Sequence, residues 1–421
     1  MLFRSIATHI GTGGLLVFFA LLGRQAGSLD FEAMGAAKLA PAMASVLFAL
    51  AVIGFGSKAG FIPMHVWLPE AHPAAPSHVS ALMSGVMIKT GVYGLLRALT
   101  LLGTPQATWG WALVVIGSGA GLFGIILALA QNDIKRLLAY CSVENIGVIT
   151  LGIGAGVLGR AWGQNGLVVL GFGGAILHVL NHAIFKSLSF FGAGAIVHAT
   201  GTRDMNQLGG LFKSMRWTGV TFLIACAAIC GLPPFNGFVS EFLIYMAAFS
   251  GVQAGTTETV VLAILVTGGL ALIGGLAAAC FTKAVGILCL GEPRNALASG
   301  AHEAGAAMRW PMAALAIACL GIGLFAPMAV RWVTPAVQIA ARSDAGTLGK
   351  SLSMPIPLLR ATAWASFGLL ALAAVLLWIR RRLPRGREES LTGTWDCGYA
   401  RPTARMQYTA TSFAQDRKSV V

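Results

Sequence analysis

Residues 178–191, HVLNHAIFKSLSFF, place His178, His182 and Lys186 four residues apart inside a long apolar stretch. On a helix, positions i, i+4 and i+8 fall near one face. The three therefore form a polar stripe about 12 Å long at ~1.5 Å rise per residue. An imidazole both donates and accepts a proton and titrates near neutral pH. A lysine gives up its proton more readily when desolvated, because burial disfavours the charged form. Such groups in a row, with water between them, are what a proton relay needs. His178 and His182 also have the i, i+4 spacing of zinc ligands. No glutamate follows His178 and no Cys or Asp lies nearby in sequence, so no metal is expected, and no other cofactor.

Further charges sit in apolar surroundings. They are Lys58 in GFGSKAGFIP, Lys89 in SGVMIKTGVYG, Glu241 in PPFNGFVSEFLIY and Lys283 near the end of an apolar segment. An ionisable group at mid-membrane costs about 2.5–3.5 kcal/mol on insertion scales. Function is one reason to bear that cost several times. The plainer alternatives are snorkelling of Lys58 and Lys89 from helix ends, and Glu241 bonding backbone donors freed by the prolines beside it. GFGSKAG contains GxG, but no strand precedes it and its spacing is wrong for a phosphate loop.

The elements that must carry these groups are membrane helices. Of 421 residues, 56% are hydrophobic and 10% charged, against about 25% charged in soluble domains. A soluble fold would need a very large core with almost no polar shell. Apolar segments of spanning length recur near 5–23, 40–60, 78–101, 110–130, 141–159, 166–198, 216–232, 237–250, 258–281, 310–334 and 357–379. The fold class is therefore all-α, a polytopic integral membrane protein of about eleven helices. Two are interrupted, at Pro63/Pro69 and at GLPPFNG (231–237). Broken backbone at membrane depth survives only where protein or a watery cavity satisfies it, and paired breaks point to an ion path. A transmembrane domain is expected over 1–380 and a basic tail over 381–421. IRRRLPRGR after the last segment places that tail in the cytoplasm by the positive-inside rule.

The formal net charge is +14. From Arg380 onward nine Lys/Arg face four Asp/Glu, which reads as juxtamembrane charge at the lipid bilayer rather than a nucleic-acid surface. The seven cysteines include no CxxC. Those within apolar segments read as small packing residues, and Cys397 lies in the polar tail. MLFRSIATHIG at the start shows no signal-peptide cleavage pattern.

KAGFIPMHVWLPEAHPAAPSHVSALMSGVMIKTGVYG (58–94) resembles the signature of the antiporter-like membrane subunits of respiratory complex I, membrane-bound hydrogenases and multi-subunit Na+/H+ antiporters. NDIKRLLAYCSVENIG (132–147), HVLNHAIFKSLSFFGAGAI (178–196) and GLPPFNGFVSEFLIY (231–245) are similar to further blocks of that family, in order. TWDCGYARPTARMQYTATSFAQ (394–415) resembles the C terminus of the large membrane subunit of hydrogenase-4 and formate hydrogenlyase complexes. The resemblance implies a proton-translocating subunit without redox centres, in the inner (cytoplasmic) membrane, partnered by other membrane and soluble subunits. It implies Lys58 as central carrier, Lys89 as link, His178, His182 and Lys186 as relay, and Glu241 as terminal acid, with His72 accessory; Lys283 is an accessory candidate from its apolar setting alone. A subunit of a Na+/H+ antiporter, the membrane half of an inorganic-carbon uptake complex, or a non-conducting scaffold are the alternatives. The family also pairs the first lysine with a glutamate on an earlier helix. The only acids upstream here are Asp30 and Glu32. The chain begins about five helices into the family pattern, and Glu144 is the candidate substitute, at the start of a later helix.

Overall fold

The computed structural model describes residues 2–253, 255–383 and 407–414, which are helical apart from turns and one bridge between Asp133 and Asp204. The WDCGY stretch, Cys397 and most of the basic tail lie outside the described residues. In chain order the helices are α1 (Leu2–Ala26), α2 (Phe31–Ala36), α3 (Pro41–Ala59), α4 (Leu68–Ala74), α5 (Ser77–Leu82), α6 (Ile88–Leu101), α7 (Ala107–Leu129), α8 (Ile134–Trp162) and α9 (Asn165–Thr200). They continue as α10 (Arg216–Ile229), α11 (Asn236–Val252), α12 (Thr257–Cys289), α13 (Ala296–Ser299), α14 (Ala306–Leu324), α15 (Ala326–Ala341), α16 (Ala345–Leu352), α17 (Pro355–Arg382) and α18 (Ala410–Ala414).

Among the described residues, eight stretches are long and apolar enough to cross a membrane, against the eleven segments expected. Three expected segments fall outside those eight, 5–23 on α1, 216–232 on α10 and 237–250 on α11, while 310–334 is represented by α14 alone. The 310–334 segment divides at Phe325 into α14 and α15. At 14 residues α10 is too short to cross alone, and α11 at 17 is at the limit. Both expected interruptions are present. After α3 comes Gly60 in the left-handed region (φ 89°) and a cis Ile62–Pro63 bond; between α10 and α11 come Gly231 (φ 62°) and a cis Pro233–Pro234 bond. Side chains tie each break to the protein around it. Trp67 Nε1 donates to the Ser57 carbonyl at 2.9 Å, and Asn181 Nδ2 donates to the Asn236 carbonyl at 2.7 Å.

At the centre stands α8. Residues 141–159 are buried without a gap, and the helix packs against α4, α7, α9, α11 and α12. It starts seven residues before the apolar segment, because Asp133 caps it by accepting the Lys135 and Arg136 N–H groups at 2.8 and 3.1 Å. Lys135 and Arg136 mask those first turns from a hydropathy reading. Glu144 accordingly lies about 15 Å along the helix at ~1.5 Å per residue, not at its start. Glycines let α7 and α8 meet backbone to backbone, the usual device where lipid offers no hydrophobic drive. At the other extreme, α17 presents Leu369, Leu372, Leu376 and Trp378 outward, a face suited to lipid.

A remote side chain caps α10. Glu303 accepts the Trp217 and Thr218 N–H groups at 2.7 and 3.3 Å and the Thr218 hydroxyl at 2.5 Å. Glu303→Ala should lower stability by about 1 kcal/mol, the usual worth of an N-cap. Thermal unfolding in detergent is the check, and an unchanged midpoint would show the cap to be dispensable.

Candidate functional site

On α9 the expected row is present, and His178, His182 and Lys186 are completely buried. The two imidazoles lie nearly parallel with centroids 6.4 Å apart, but the three groups do not bond one another. Each looks sideways to a neighbouring helix. His178 Nε2 meets Asn145 Oδ1 at 3.0 Å, and Nδ1 meets Ser240 Oγ at 2.9 Å. The Asn145 amide is oriented by its own acceptors. Its Nδ2 donates to the Cys141 carbonyl at 2.9 Å and to the Glu144 carboxylate, which leaves Oδ1 for the imidazole. Nε2 must therefore be the donor.

Ser240 makes the other side of His178 adjustable. Its hydroxyl accepts from Asn181 Nδ2 at 2.9 Å and reaches the Gly237 carbonyl at 3.0 Å. With His178 neutral, the hydroxyl hydrogen can point to Nδ1. With His178 charged, Nδ1 donates to Ser240 Oγ and the hydroxyl turns to Gly237. One rotor thus accommodates both protonation states without an orphaned donor. This arm joins α8, α9 and the broken helix α11, where Glu241 follows Ser240.

The second arm runs from Lys186 to α6. Lys186 Nζ donates to the Leu138 carbonyl at 3.0 Å, with the Phe281 ring centroid 5.9 Å away. The same carbonyl accepts from Ser142 Oγ at 3.0 Å, and Ser142 Oγ meets Ser84 Oγ at 2.8 Å. Lys89 Nζ donates to the Ser84 carbonyl. The Ser84 turn is a single wide π turn over Met83–Met87, a helical irregularity common at functional sites. Two buried lysines on different helices are thereby tied through a pair of serines.

Glu144 ties the arms together. Its carboxylate is buried, accepts from Cys141 Sγ at 3.2 Å and from Asn145, and lies within electrostatic range of Lys186. Glu241 is half-buried, with its carboxylate pressed against Gly231, where a Cβ would come within 2.6 Å of Oε2. His182 is the exception in the row, since neither ring nitrogen has a protein partner. His72 on α4 is likewise completely buried with both nitrogens unpartnered. An unsatisfied buried polar group costs about 1–3 kcal/mol, so both rings call for water between them and the lysines.

Two of the expected residues lie apart from these arms. Lys58 is exposed at the last turn of α3 rather than buried in the line. Gly11 of α1 abuts Ser57, Phe61 folds back on Gly56, and Gly91 of α6 abuts Ala59. These contacts claim the sides of that turn and leave the lysine outside. Lys283 is fully buried and donates to the carbonyls of Leu129 and Gln131, both at 2.8 Å. It closes the C-terminal end of α7 and does not join the line.

Sequence reading missed Ser84, Ser142, Asn145, Asn181, Asn236 and Ser240. Their signal was present, as polar residues inside apolar segments, but nothing local shows which of them face one another. The described part of the tail, Gln407–Ala414, docks on the body rather than standing apart. Thr411 bonds Asn132 and Asn206, and Ala410 is completely buried.

Residues 2–270 match the family described as NADH:quinone oxidoreductase/Mrp antiporter, transmembrane. Hydrogenase-4 component B of Escherichia coli (strain K12) is 41% identical over 412 residues, covering 95% of this chain and 60% of that protein. Formate hydrogenlyase subunit 3 of the same organism is 37% identical, covering 97% of this chain and 66% of that one. The chain thus spans about two thirds or less of the length of these relatives. Among solved structures, the archaeal membrane-bound sulfane sulfur reductase, a respiratory membrane complex, superposes with a TM-score of 0.66 at 28% identity, over 79% of this chain and 53% of that one. The interrupted helices, the buried row on α9 and these matches agree: the chain is a multi-pass membrane protein that belongs to the NADH:quinone oxidoreductase/Mrp antiporter family.

Proposed function

We propose that this chain moves protons as an antiporter-like membrane subunit of a hydrogenase-4 or formate-hydrogenlyase type of complex, in the inner membrane. The observation that carries this reading is a pair of buried arms that come within electrostatic range of each other at Lys186 and Glu144. One runs from Lys89 through the Ser84 backbone carbonyl and the Ser84 and Ser142 hydroxyls to the Leu138 carbonyl and Lys186, the other from Glu144 through Asn145, His178 and Ser240 to the helix of Glu241. A bilayer-embedded helix bundle without transport has no use for five buried or half-buried ionisable groups whose partners are mostly neutral and rotatable. Charges held for structure alone are usually paired.

In this reading the chain supplies no redox chemistry. A partner arm changes charge near the network, and protons step along Lys89, Lys186, Glu144, His178 and Glu241, with His182 bridged by water. The transmembrane body over 1–380 conducts. The basic segment over 381–421 faces the cytoplasm, and its docked stretch bonds Asn132 before α8, Asn206 after α9, and Glu292 and Arg294 after α12. The higher identity and coverage of the hydrogenase-4 and formate hydrogenlyase relatives favour that class of complex over a Na+/H+ antiporter subunit.

The test is the purified complex in liposomes under a valinomycin-clamped K+ diffusion potential, with lumenal pH read by pyranine. Proton flux should follow the potential without Na+. Glu241→Gln should slow it about tenfold or more, equivalent to ~1.4 kcal/mol or more on the barrier. Wild-type flux in that variant would remove the second broken helix from the path. Absence of a hydrogenase arm from the purified complex would turn the assignment toward a secondary antiporter.

A further inference from the structure

We infer that His72 is the step joining this network to one face of the bundle, through a cavity lined by His78, Lys135 and His198. The inference deepens the proton-transport reading and rests on it.

The row on α9 does not end at Lys186. Continuing in fours it meets Phe190, Gly194 and His198, each step advancing about 6 Å while winding gradually around the helix. From His178 to His198 the row is about 30 Å long, roughly the thickness of a hydrocarbon core. Phe190 is the one place where a side chain without polar atoms interrupts it, since at Gly194 the row already borders the cavity. There α4 supplies the missing imidazole. The His72 ring stacks on Phe190 with centroids 4.6 Å apart and planes at 16°. It is completely buried, both nitrogens lack protein partners, and it lies within electrostatic range of Lys186, Lys135 and Lys89.

Beyond Phe190 the row opens into a cavity of about 530 Å³. His78, Lys135, Gly194 and His198 line it, with Met308 and Met312 of α14. Lys135 donates to the Ala75 carbonyl at 2.9 Å, and Ser80 Oγ donates to the His72 carbonyl at 3.0 Å. These bonds hold the α4–α5 connection, whose Pro76, Ser77 and His78 line the cavity, against α8, with His72 four residues before the cavity wall and within electrostatic range of Lys186. Packing alone explains the stack on Phe190. It does not explain a histidine in a site that gives neither nitrogen a protein partner, within electrostatic range of three lysines. A ring that passes protons between water in the cavity and Lys186 fits that site.

The liposome assay on the purified complex tests this. His72→Phe keeps an aromatic ring for Phe190 and removes both nitrogens; flux should fall about 10²-fold, as when a positioned acid–base group is lost, with assembly unchanged. Wild-type flux in His72→Phe overturns the inference. His72→Ala, assayed with small azoles added on the side where the cavity opens, is the second arm. Rescue should rank with the azole's own pKa; rescue by azoles of any pKa alike shows space-filling only and overturns the inference. Lys186→Met separates the levels. If it conducts normally, the transport reading fails as a whole. If it is dead while His72→Phe conducts, only the His72 step fails.

Discussion

Lys186→Met is expected to abolish potential-driven proton flux, by about 10²-fold or more, while the protein becomes no less stable. The two effects have one cause. Lys186 is completely buried, and its Nζ faces the neutral Leu138 carbonyl, the Cys141 thiol, a phenyl ring at cation–π distance and Glu144 within electrostatic range. Holding a lysine at such depth costs about 2.5–3.5 kcal/mol on insertion scales, and methionine fills similar volume without it. The carbonyl left behind is not orphaned, because Ser142 Oγ still donates to Leu138 at 3.0 Å. What is lost is the one group that meets both arms, the serine pair toward Lys89 and the carboxylate toward Asn145 and His178. Flux in liposomes and the thermal midpoint in detergent should therefore move independently. A dead variant that is also several degrees less stable would mean that Lys186 serves packing, and retained flux would mean that protons bypass it.

Gly147→Ala should be among the most damaging small substitutions on α8. A Cβ at Gly147 would lie 2.3 Å from the Gly121 nitrogen and 2.6 Å from the Gly117 carbonyl oxygen. Both are backbone atoms of α7, so no rotamer change relieves the clash and the helices must part. Overpacking a core typically costs about 1–3 kcal/mol, and more where the backbone must shift. Here the displaced helix is α8, which carries Ser142, Glu144 and Asn145, so transport should fail together with stability. Gly119→Ala is the matched control. Nothing lies within 4 Å of its Cβ position, and exchanging a helical glycine for alanine gains about 0.5–1 kcal/mol. Size-exclusion profiles after graded heating should separate the two variants. Equal midpoints would show that α7 and α8 are not held by this contact.

Both predictions rest on relations between helices, and these divide what was legible in the chain from what was not. The α9 row was readable because helical periodicity is a local property, and the spacing of His178, His182 and Lys186 survives any arrangement of neighbours. The two breaks were readable because proline and glycine limit their own backbone. Membrane embedding followed from composition. Helix ends were blurred where charges cap a helix, as at Asp133, and where one apolar run hides a turn, as at Phe325.

Which side chains meet was decided only by the fold. Asn145 finds His178 because glycines bring α8 within backbone distance of α7 on one side and α9 on the other. Ser84 finds Ser142 because a single wide turn shifts α5 against α6. Lys58 faces outward because Ser57, Phe61 and Ala59 occupy the sides of its turn. His72 fills a gap in a row that belongs to another helix. Hydropathy and period are written residue by residue, whereas these encounters depend on close packing between segments distant in the chain, and that is set by the volumes of all the side chains between them.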